Sequence, residues 1–234
     1  MSDFNFPKND LEMLCEPLDA FPPYIYKAKF DFKFENIRDK VDTFLNDVAI
    51  IKEEHGLGDP ENDGGISSVH YAHADKYEYE NHRFGLPYTW PEFKEYYNFL
   101  QYVMGSISSE WGYDPNWQRQ IEESWINVHP PGAWTGEHHH QNAMFATTAY
   151  LSKPKNSGEF LVRNPLEIYK KGEPTHPDYW NMQRYWAPIN VDTNDILIFP
   201  GWVTHKTQKN HSEENRYILS SNAVSVKTID KSSQ

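Results

Sequence analysis

The stretch "HHHQNAMFATTAYL", residues 138–151, places three consecutive histidines directly before a run of apolar and β-branched residues. That run, "AMFATTAYL", has the composition of a largely buried β-strand. The histidines lie inside the chain, so they are not a terminal tag. The stretch therefore predicts a strand that is preceded by a cluster of possible metal ligands.

The sequence around this strand predicts an α+β chain. Two segments, 35–50 and 91–111, carry apolar residues every three or four positions, which is typical of amphipathic helices. After Gly112, short segments rich in β-branched and aromatic residues alternate with turn residues, which is typical of a sandwich or barrel. The predicted strands are 24–32 in the first half and 121–129, 143–151, 158–163, 195–200, 202–206 and 216–224 in the second.

The chain of 234 residues is expected to form a single domain. Residues 1–112 would supply an N-terminal arm, a strand and supporting helices, and residues 113–226 a β-rich catalytic core. The insert 164–190 is long and irregular for a hairpin loop, and we interpret it as a candidate lid. An ordinary surface loop is the alternative interpretation of this insert.

Composition argues against several function classes. The net charge of −12 argues against nonspecific nucleic-acid binding, which requires Lys and Arg to neutralise phosphates. The single cysteine, Cys15, cannot form an intramolecular disulfide, which is consistent with a reducing compartment. No secretory signal is visible, and no apolar stretch approaches the roughly 18 residues that a membrane helix requires. We therefore expect a cytoplasmic protein of a bacterium or a host cell, with no membrane partner.

The three histidines have the spacing of metal ligands. His138 and His140 are two residues apart, so on an extended strand they point to the same face while His139 points away. The best candidate for a third ligand is His205, which follows a Pro-Gly turn. Imidazole binds Fe, Zn, Cu and Ni, and three protein ligands leave positions open for substrate or water. The alternative is that these histidines are ordinary surface or core residues.

An arginine downstream favours the metal interpretation. Ten residues separate His205 from Arg216, which opens the predicted strand "RYILSSN". A guanidinium at the base of a metal pocket can bind a carboxylate through two parallel hydrogen bonds. Ser220 lies on the same face of that strand and adds a hydroxyl.

Together these elements resemble the pattern of iron- and 2-oxoglutarate-dependent oxygenases. That pattern is an H-x-[D/E/H] pair on one strand, a distal histidine, ten residues and an arginine. The resemblance is closest to small oxygenases of cyanophages and marine bacteria, through "HHHQNAMFATTAYL", "ILIFPGWVTH" and "RYILSSN". It covers roughly residues 121–224. The chain departs from it at Gln141 and Ala143, which replace Pro and Ser, and at His140, where most of the superfamily has a carboxylate.

The resemblance implies a fold, two cofactors and a reaction. The fold would be a double-stranded β-helix of jelly-roll type, cupin-like, with the helices against the outer face of the larger sheet. Fe(II) would bind His138, His140 and His205, and 2-oxoglutarate would bind Arg216 with help from Ser220, Tyr150 and Asn127. Dioxygen would oxidise, and most simply hydroxylate, a small-molecule or peptidyl substrate while 2-oxoglutarate becomes succinate. A homodimer is a further expectation.

Substrate contacts are expected close to the predicted metal segment in sequence. Five side chains near the predicted metal segment are weak candidates for such contacts: Trp134, Gln141, Asn142, Arg163 and Trp202.

Two rival functions are compatible with the same fold. The first is a cupin-type enzyme with three histidine ligands that does not use 2-oxoglutarate, similar to thiol dioxygenases, in which Arg216 would hold the substrate carboxylate directly. The second is a non-enzymatic jelly-roll module of a phage, which would bind no metal and would leave Arg216 unexplained. Formation of succinate from 2-oxoglutarate in the presence of Fe(II) discriminates among the three.

Overall fold

A computed structural model of the chain describes residues 25–56, 62–69, 87–165 and 185–227. The predicted N-terminal arm and residues 166–184 of the insert lie outside these ranges. The described residues form two α-helices, eleven strands and a few short 3-10 turns. In chain order the helices and strands are β1 Tyr26–Lys29, α1 Arg38–His55, β2 Asn62–Asp63, β3 Ile66–Ser67, α2 Lys94–Glu110, β4 Trp117–His129, β5 Trp134–Thr135, β6 Phe145–Ser152, β7 Phe160–Arg163, β8 Trp186–Ile189, β9 Asp195–Pro200, β10 His205–Thr207 and β11 Arg216–Lys227.

The strands form two main antiparallel sheets. The major sheet has the order β1-β9-β6-β11-β4-β3, and the minor sheet has the order β10-β7-β8. Strands β2 and β5 form a separate pair. Non-consecutive strands are neighbours in both main sheets, so the chain crosses repeatedly between them. This is the predicted jelly-roll arrangement.

The pleat of the major sheet separates two hydrophobic cores. Along β11, Tyr217 and Leu219 point to one face and pack with the helices. Ile218 points to the other face and packs with Phe160 and Val162 of the minor sheet. Because successive side chains of a strand alternate between faces, one strand serves both cores. The space between the two sheets is therefore distinct from the core beneath the helices.

Both predicted helices are present and pack against the outer face of the major sheet, as expected. Helix α1 buries Val41, Phe44 and Val48 in the core that it shares with α2 and that sheet. It extends past the predicted end at residue 50 and stops at Gly56, whose φ of 61° ends the helix in the left-handed conformation. The predicted helix 91–111 begins as a 3-10 turn at Pro91–Phe93 and continues as α2. Neither helix meets the length and apolarity needed to cross a bilayer, within the described ranges.

Strand predictions were most accurate where the strand is central. Strand β9 spans Asp195–Pro200, the range predicted from the sequence. The prediction for 202–206 was wrong at its start, because Val203 closes a turn onto Pro200 and the strand begins at His205. Strand β8 was missed, since the insert 164–190 was interpreted as irregular. It contains Pro188, which lacks a backbone N–H and is tolerated because β8 is an edge strand.

The core beneath the helices should dominate the stability of the fold. Met104 of α2 is completely buried, whereas Tyr102 on the same helix is 76% exposed. We expect Met104→Ala to reduce the free energy of unfolding by about 2–5 kcal/mol, because it removes buried apolar surface and leaves a cavity. Tyr102→Ala is the matched control and should change it by less than about 0.5 kcal/mol. Urea denaturation measures both, and equal effects would contradict the placement of this helix.

Candidate active site

A cavity of about 180 Å³ lies between the two sheets. Its floor is the inner face of the major sheet, to which β4, β6 and β11 contribute. His138, His139 and His140 border it, and His205 of β10 lies opposite the floor. The cavity is therefore lined by the histidine segment and by strands of both sheets.

The structure brings the three predicted ligands together. The possible ligand atoms of His138, His140 and His205 all lie within 4.8 Å of one another. His138 and His205 form one antiparallel bridge, with N···O distances of 3.0 and 2.9 Å in its two backbone hydrogen bonds. His138 and His140 were expected on a strand, but this bridge at His138 is the only strand pairing of residues 138–140 in the structure. His139 is exposed at the cavity rim.

Backbone carbonyls determine the tautomers of two of these rings. Nδ1 of His138 lies 3.0 Å from the carbonyl oxygen of Gly136, and Nδ1 of His205 lies 2.9 Å from that of Val203. A carbonyl oxygen only accepts, so each Nδ1 donates a proton in its hydrogen bond. The lone pair is then on Nε2 in both rings, which is the state in which a histidine binds a metal.

The environment also keeps the imidazoles of His140 and His205 neutral. Burial, followed by the neighbouring His138 and His139, lowers the pKa of His140 to about 3. Burial, followed by His138 and His140, lowers the pKa of His205 well below its usual value. Neutral imidazole nitrogens are good ligands for a divalent cation, and three imidazoles converge at this point. The residues present therefore fit a bound metal ion.

Aromatic side chains enclose the histidines. The ring of Trp125 lies 5.7 Å from that of His140, between centroids. Phe160 and Phe199 lie 5.1 and 4.8 Å from the ring of His205. These side chains exclude water, and a low local dielectric strengthens every electrostatic interaction inside the cavity.

Gly201 permits the histidine segment to approach β9. Its carbonyl accepts a hydrogen bond from the His140 backbone N–H at 2.8 Å. A Cβ atom at Gly201 would lie 2.6 Å from the carbonyl oxygen of His140 and 2.3 Å from that of Ala143. Both contacts are with backbone, which cannot move aside cheaply, so only glycine fits at this position.

Arg216 is completely buried at the base of the site. Its Nη1 donates to the carbonyl oxygens of Ser157 and Gln208, and its Nη2 donates to Oγ1 of Thr207 at 3.0 Å. Thr207 lines the cavity, whereas Arg216 is not among the described residues that line it. The guanidinium therefore lies directly behind the Thr207 hydroxyl.

The other predicted cosubstrate residues surround the same region. Asn127 and Ser220 line the cavity, and Tyr150 is buried near Arg216. Burial raises the pKa of Tyr150, and the nearby Arg216 opposes that shift. Tyr150 Oη, Asn127 Oδ1 and Arg216 Nε are buried without a hydrogen-bond partner in the described part of the chain. Unsatisfied buried polar atoms are costly, and the Tyr150 hydroxyl and the Arg216 Nε–H can both donate, so these two groups fit a ligand that carries a carboxylate.

The five weak substrate candidates are not brought to the cavity. Arg163 forms an ion pair with Glu137, and both side chains are nearly half exposed. Trp134 donates from Nε1 to Asp63 at 2.7 Å, away from the histidines. None of the five is among the described residues that line the cavity: Trp134, Gln141, Asn142, Arg163 and Trp202. Proximity in sequence to the histidines was therefore a poor guide to cavity contacts.

Several cavity residues were missed from the sequence. Glu123 and Trp125 alternate with Asn127 on the predicted strand 121–129, and strand periodicity places all three on one face. The same rule applied to Ser220 identifies Asn222. Thr207 follows His205 at the same two-residue spacing. Parity along the strands was the signal that could have identified them.

The comparisons with known proteins concern this same region. Residues 123–222 match a family described as "Putative 2OG-Fe(II) oxygenase". The matched segment contains the three clustered histidines and Arg216. Over these residues the chain matches the 2OG-Fe(II) oxygenase superfamily. The match confirms the predicted enzyme class, a non-haem iron oxidoreductase that depends on 2-oxoglutarate. It also confirms the predicted cofactors, Fe(II) and 2-oxoglutarate. No curated protein matches the oxygenase in sequence.

Solved structures share the fold of this oxygenase. A viral collagen prolyl hydroxylase from Paramecium Bursaria Chlorella virus-1 aligns with a TM-score of 0.51 at 10% identity, covering 86% of this chain and 96% of that one. The carbocyclase SnoK from nogalamycin biosynthesis aligns with a TM-score of 0.50 at 11% identity, covering 86% and 79%. A Burkholderia pseudomallei member of the 2OG-Fe(II) oxygenase family aligns at 14% identity and a TM-score of 0.42 over 58% of this chain and 57% of its own length. At such identities the first two likenesses support the double-stranded β-helix fold, and the resemblance to cyanophage oxygenases stays a prediction.

The close packing at Gly201 generates a test of the site. We expect Gly201→Ala to displace the His140 segment and to weaken Fe(II) binding by about tenfold or more, because its Cβ would overlap two carbonyl oxygens. Gly105→Ala is the control, since a Cβ there meets nothing within 4 Å. It should leave Fe(II) affinity unchanged and stabilise α2 by about 0.5–1 kcal/mol. Equal Fe(II) dissociation constants for both variants would show that the contact does not position the ligands.

Proposed function

We propose that this oxygenase uses the cavity to hydroxylate a small-molecule or peptidyl substrate with dioxygen, while 2-oxoglutarate is oxidatively decarboxylated to succinate and CO2. Three imidazoles would hold Fe(II), and a polar group behind them would hold 2-oxoglutarate. The convergence of the three ligand atoms within 4.8 Å is the observation that supports this most strongly. The assigned metal ligands are His138, His140 and His205, and the assigned cosubstrate residues are Arg216, Tyr150, Asn127 and Ser220.

Bound Fe(II) would activate dioxygen and, with 2-oxoglutarate, supply the oxidising power that the protein side chains lack. The chain itself would orient the reactants. His138 and His205 present Nε2 because backbone carbonyls hold their Nδ1 protons. A ligand set without a carboxylate would leave the ion with its full double positive charge, which favours the dianionic cosubstrate.

The surroundings of Arg216 support its assignment as the carboxylate-binding residue. Burial lowers the pKa of its guanidinium, and its hydrogen bonds in the described structure go to carbonyl and hydroxyl oxygens. The nearby Glu159 carboxylate opposes that shift but forms no ion pair with Arg216 among the described residues, so a ligand carboxylate would further stabilise this buried cation. Since the Thr207 hydroxyl lies between the cavity and Arg216, we expect Thr207 to contact the same carboxylate.

Anaerobic titration tests this function before any substrate is known. Addition of Fe(II) and then 2-oxoglutarate should produce the charge-transfer absorption of a bidentate complex. Admission of oxygen should then yield succinate, even slowly. Metal binding without any effect of 2-oxoglutarate would favour the rival three-histidine enzyme. Failure to bind Fe(II) would favour the non-enzymatic module.

The metal assignment can be tested at His205. We expect His205→Ala to abolish tight Fe(II) binding, because it removes the one ligand that comes from the minor sheet. Calorimetric titration with Fe(II) under anaerobic conditions measures the loss. His211→Ala, at an exposed histidine nearby in sequence, is the control. Full metal occupancy in His205→Ala would show that the ligand set is wrong.

The cosubstrate assignment can be tested at Arg216. We expect Arg216→Ala to abolish 2-oxoglutarate-dependent succinate formation while Fe(II) binding is largely retained, because the residue lies behind Thr207 and away from the ligand cluster. Arg216→Lys should recover part of the affinity for 2-oxoglutarate, since it keeps the charge but loses the planar fork. Simultaneous loss of iron and cosubstrate in both variants would contradict these separate roles.

We further propose that the oxygenase acts in the cytoplasm of a bacterium or a host cell and forms a homodimer. The composition supports the first point, because a single cysteine and a requirement for ferrous iron both suit a reducing compartment. Light scattering of the purified protein determines whether it is a dimer.

A further inference from the structure

The loop between β6 and β7 is attached to the segment that follows β10. At one end of the loop, the His211 backbone N–H donates to the carbonyl oxygen of Asn156 at 3.0 Å. At the other end, the Gln208 backbone N–H donates to the carbonyl oxygen of Glu159 at 2.9 Å, and the Glu159 N–H donates to Oε1 of Gln208 at 3.0 Å. Residues 156–159 therefore have a fixed position beside the end of β10.

Gly158 permits this loop to approach so closely. Its φ of 85° lies in the left-handed region, which glycine adopts without a steric cost. A Cβ atom at Gly158 would lie 2.6 Å from the carbonyl oxygen of Lys209 and 2.8 Å from that of Gln208. Both contacts are with backbone atoms, so a larger residue would have to move the loop away from this segment.

The residue before this glycine contacts Arg216. Ser157 is completely buried, and its carbonyl oxygen accepts a hydrogen bond from Nη1 of Arg216. The same Nη1 donates to the carbonyl oxygen of Gln208 at 3.3 Å, which is one of the two oxygens that Gly158 packs against. The loop and the segment after β10 thus each supply one acceptor to the same nitrogen, and the contact at Gly158 keeps the two acceptors together.

These hydrogen bonds leave a pair of adjacent N–H groups of Arg216 for a ligand. Nη2 donates to Oγ1 of Thr207 at 3.0 Å, and Nε has no hydrogen-bond partner among the described residues. The N–H of Nε and the second N–H of Nη2 therefore remain, and such a pair can bind a carboxylate through two parallel hydrogen bonds. Because acceptors from separate segments hold the guanidinium, its distance from the histidines is fixed.

We propose that Gly158 is a positioning residue that sets the length of 2-oxo diacid the site accepts, because it holds the Ser157 carbonyl against Arg216. The inference rests on the proposed function, in which Arg216 binds the far carboxylate and the histidines hold the iron that binds the 2-oxo end. One additional carbon extends the diacid by about 1.3 Å. That exceeds the range of about 0.5 Å over which an N–H···O hydrogen bond forms, so a fixed guanidinium would discriminate against the longer diacid.

The test uses the oxygenase loaded anaerobically with Fe(II) and measures dissociation constants by calorimetry. The probes are 2-oxoglutarate, 2-oxoadipate, which is one carbon longer, and 2-oxobutanoate, which lacks the far carboxylate. The wild type should bind 2-oxoglutarate about tenfold or more tightly than 2-oxoadipate. Gly158→Ala should weaken binding of 2-oxoglutarate about tenfold or more and reduce this preference to less than about threefold, because the guanidinium is no longer held in place.

Binding of Fe(II) and of 2-oxobutanoate by Gly158→Ala should change by less than about twofold, since neither depends on Arg216, whereas general damage to the fold would weaken both. Gly112→Ala is the matched control. Gly112 also has a positive φ, of 72°, but a Cβ there meets nothing within 4 Å, so all affinities should stay within about twofold of the wild type.

A second variant loosens the loop without backbone strain. Gln208→Ala keeps the Gln208 carbonyl but removes the side-chain oxygen that accepts from the Glu159 N–H. It should weaken 2-oxoglutarate binding by about threefold or more and leave 2-oxobutanoate binding unchanged. If Gly158→Ala does not fold, this variant decides the question.

Equal weakening of all probes, or wild-type affinity for 2-oxoglutarate in both loop variants, would overturn the inference. A wild type that binds 2-oxoglutarate but does not discriminate against 2-oxoadipate would contradict this inference alone. The failure of the proposed function is a separate result, because the wild type loaded with Fe(II) would then not bind 2-oxoglutarate at all.

Discussion

The reciprocal backbone hydrogen bonds between His138 and His205 are the contact on which the site depends. They join two segments that are distant in the chain, and they do so with backbone atoms, so the imidazoles are free to point into the cavity. The bond from His140 to the Gly201 carbonyl adds a second attachment on the same segment. Backbone geometry is stiffer than side-chain geometry. These hydrogen bonds therefore hold the three rings near one another, although residues 138–140 do not form a regular strand.

The two faces of the major sheet have different roles. This allows a stable protein to contain a cavity whose buried polar atoms lack hydrogen-bond partners. One face packs against α1 and α2 in a large apolar core, and that core supplies most of the buried hydrophobic surface. The opposite face is apolar where it meets the minor sheet and polar where the cavity begins. Orphaned polar atoms such as Tyr150 Oη destabilise the fold, but the helix-side core offsets that cost.

The base of the cavity shows how the chain keeps a buried guanidinium available. His129 lies opposite Arg216 in the sheet, and burial, together with the nearby arginine, lowers the pKa of His129 to about 3. The histidine is therefore neutral and does not add a second positive charge. Its Nε2 lies 2.7 Å from Oγ1 of Thr135, whose backbone N–H donates to Oγ1 of Thr207. This network positions the Thr207 hydroxyl between the cavity and Arg216.

The sequence by itself determined the local elements and the chemistry of the metal cluster. Helical and strand periodicity depend on nearby residues, and the spacing of His138, His140, His205 and Arg216 carried the family resemblance. Only the tertiary structure decided which side chains reach the cavity. The bulge at Glu122, the edge strand that contains Pro188 and the outward direction of Arg163 all depend on pairing with strands distant in sequence. Because a shift of one residue in register exchanges the two faces of a strand, partner strands rather than local sequence assign each residue to core, cavity or solvent.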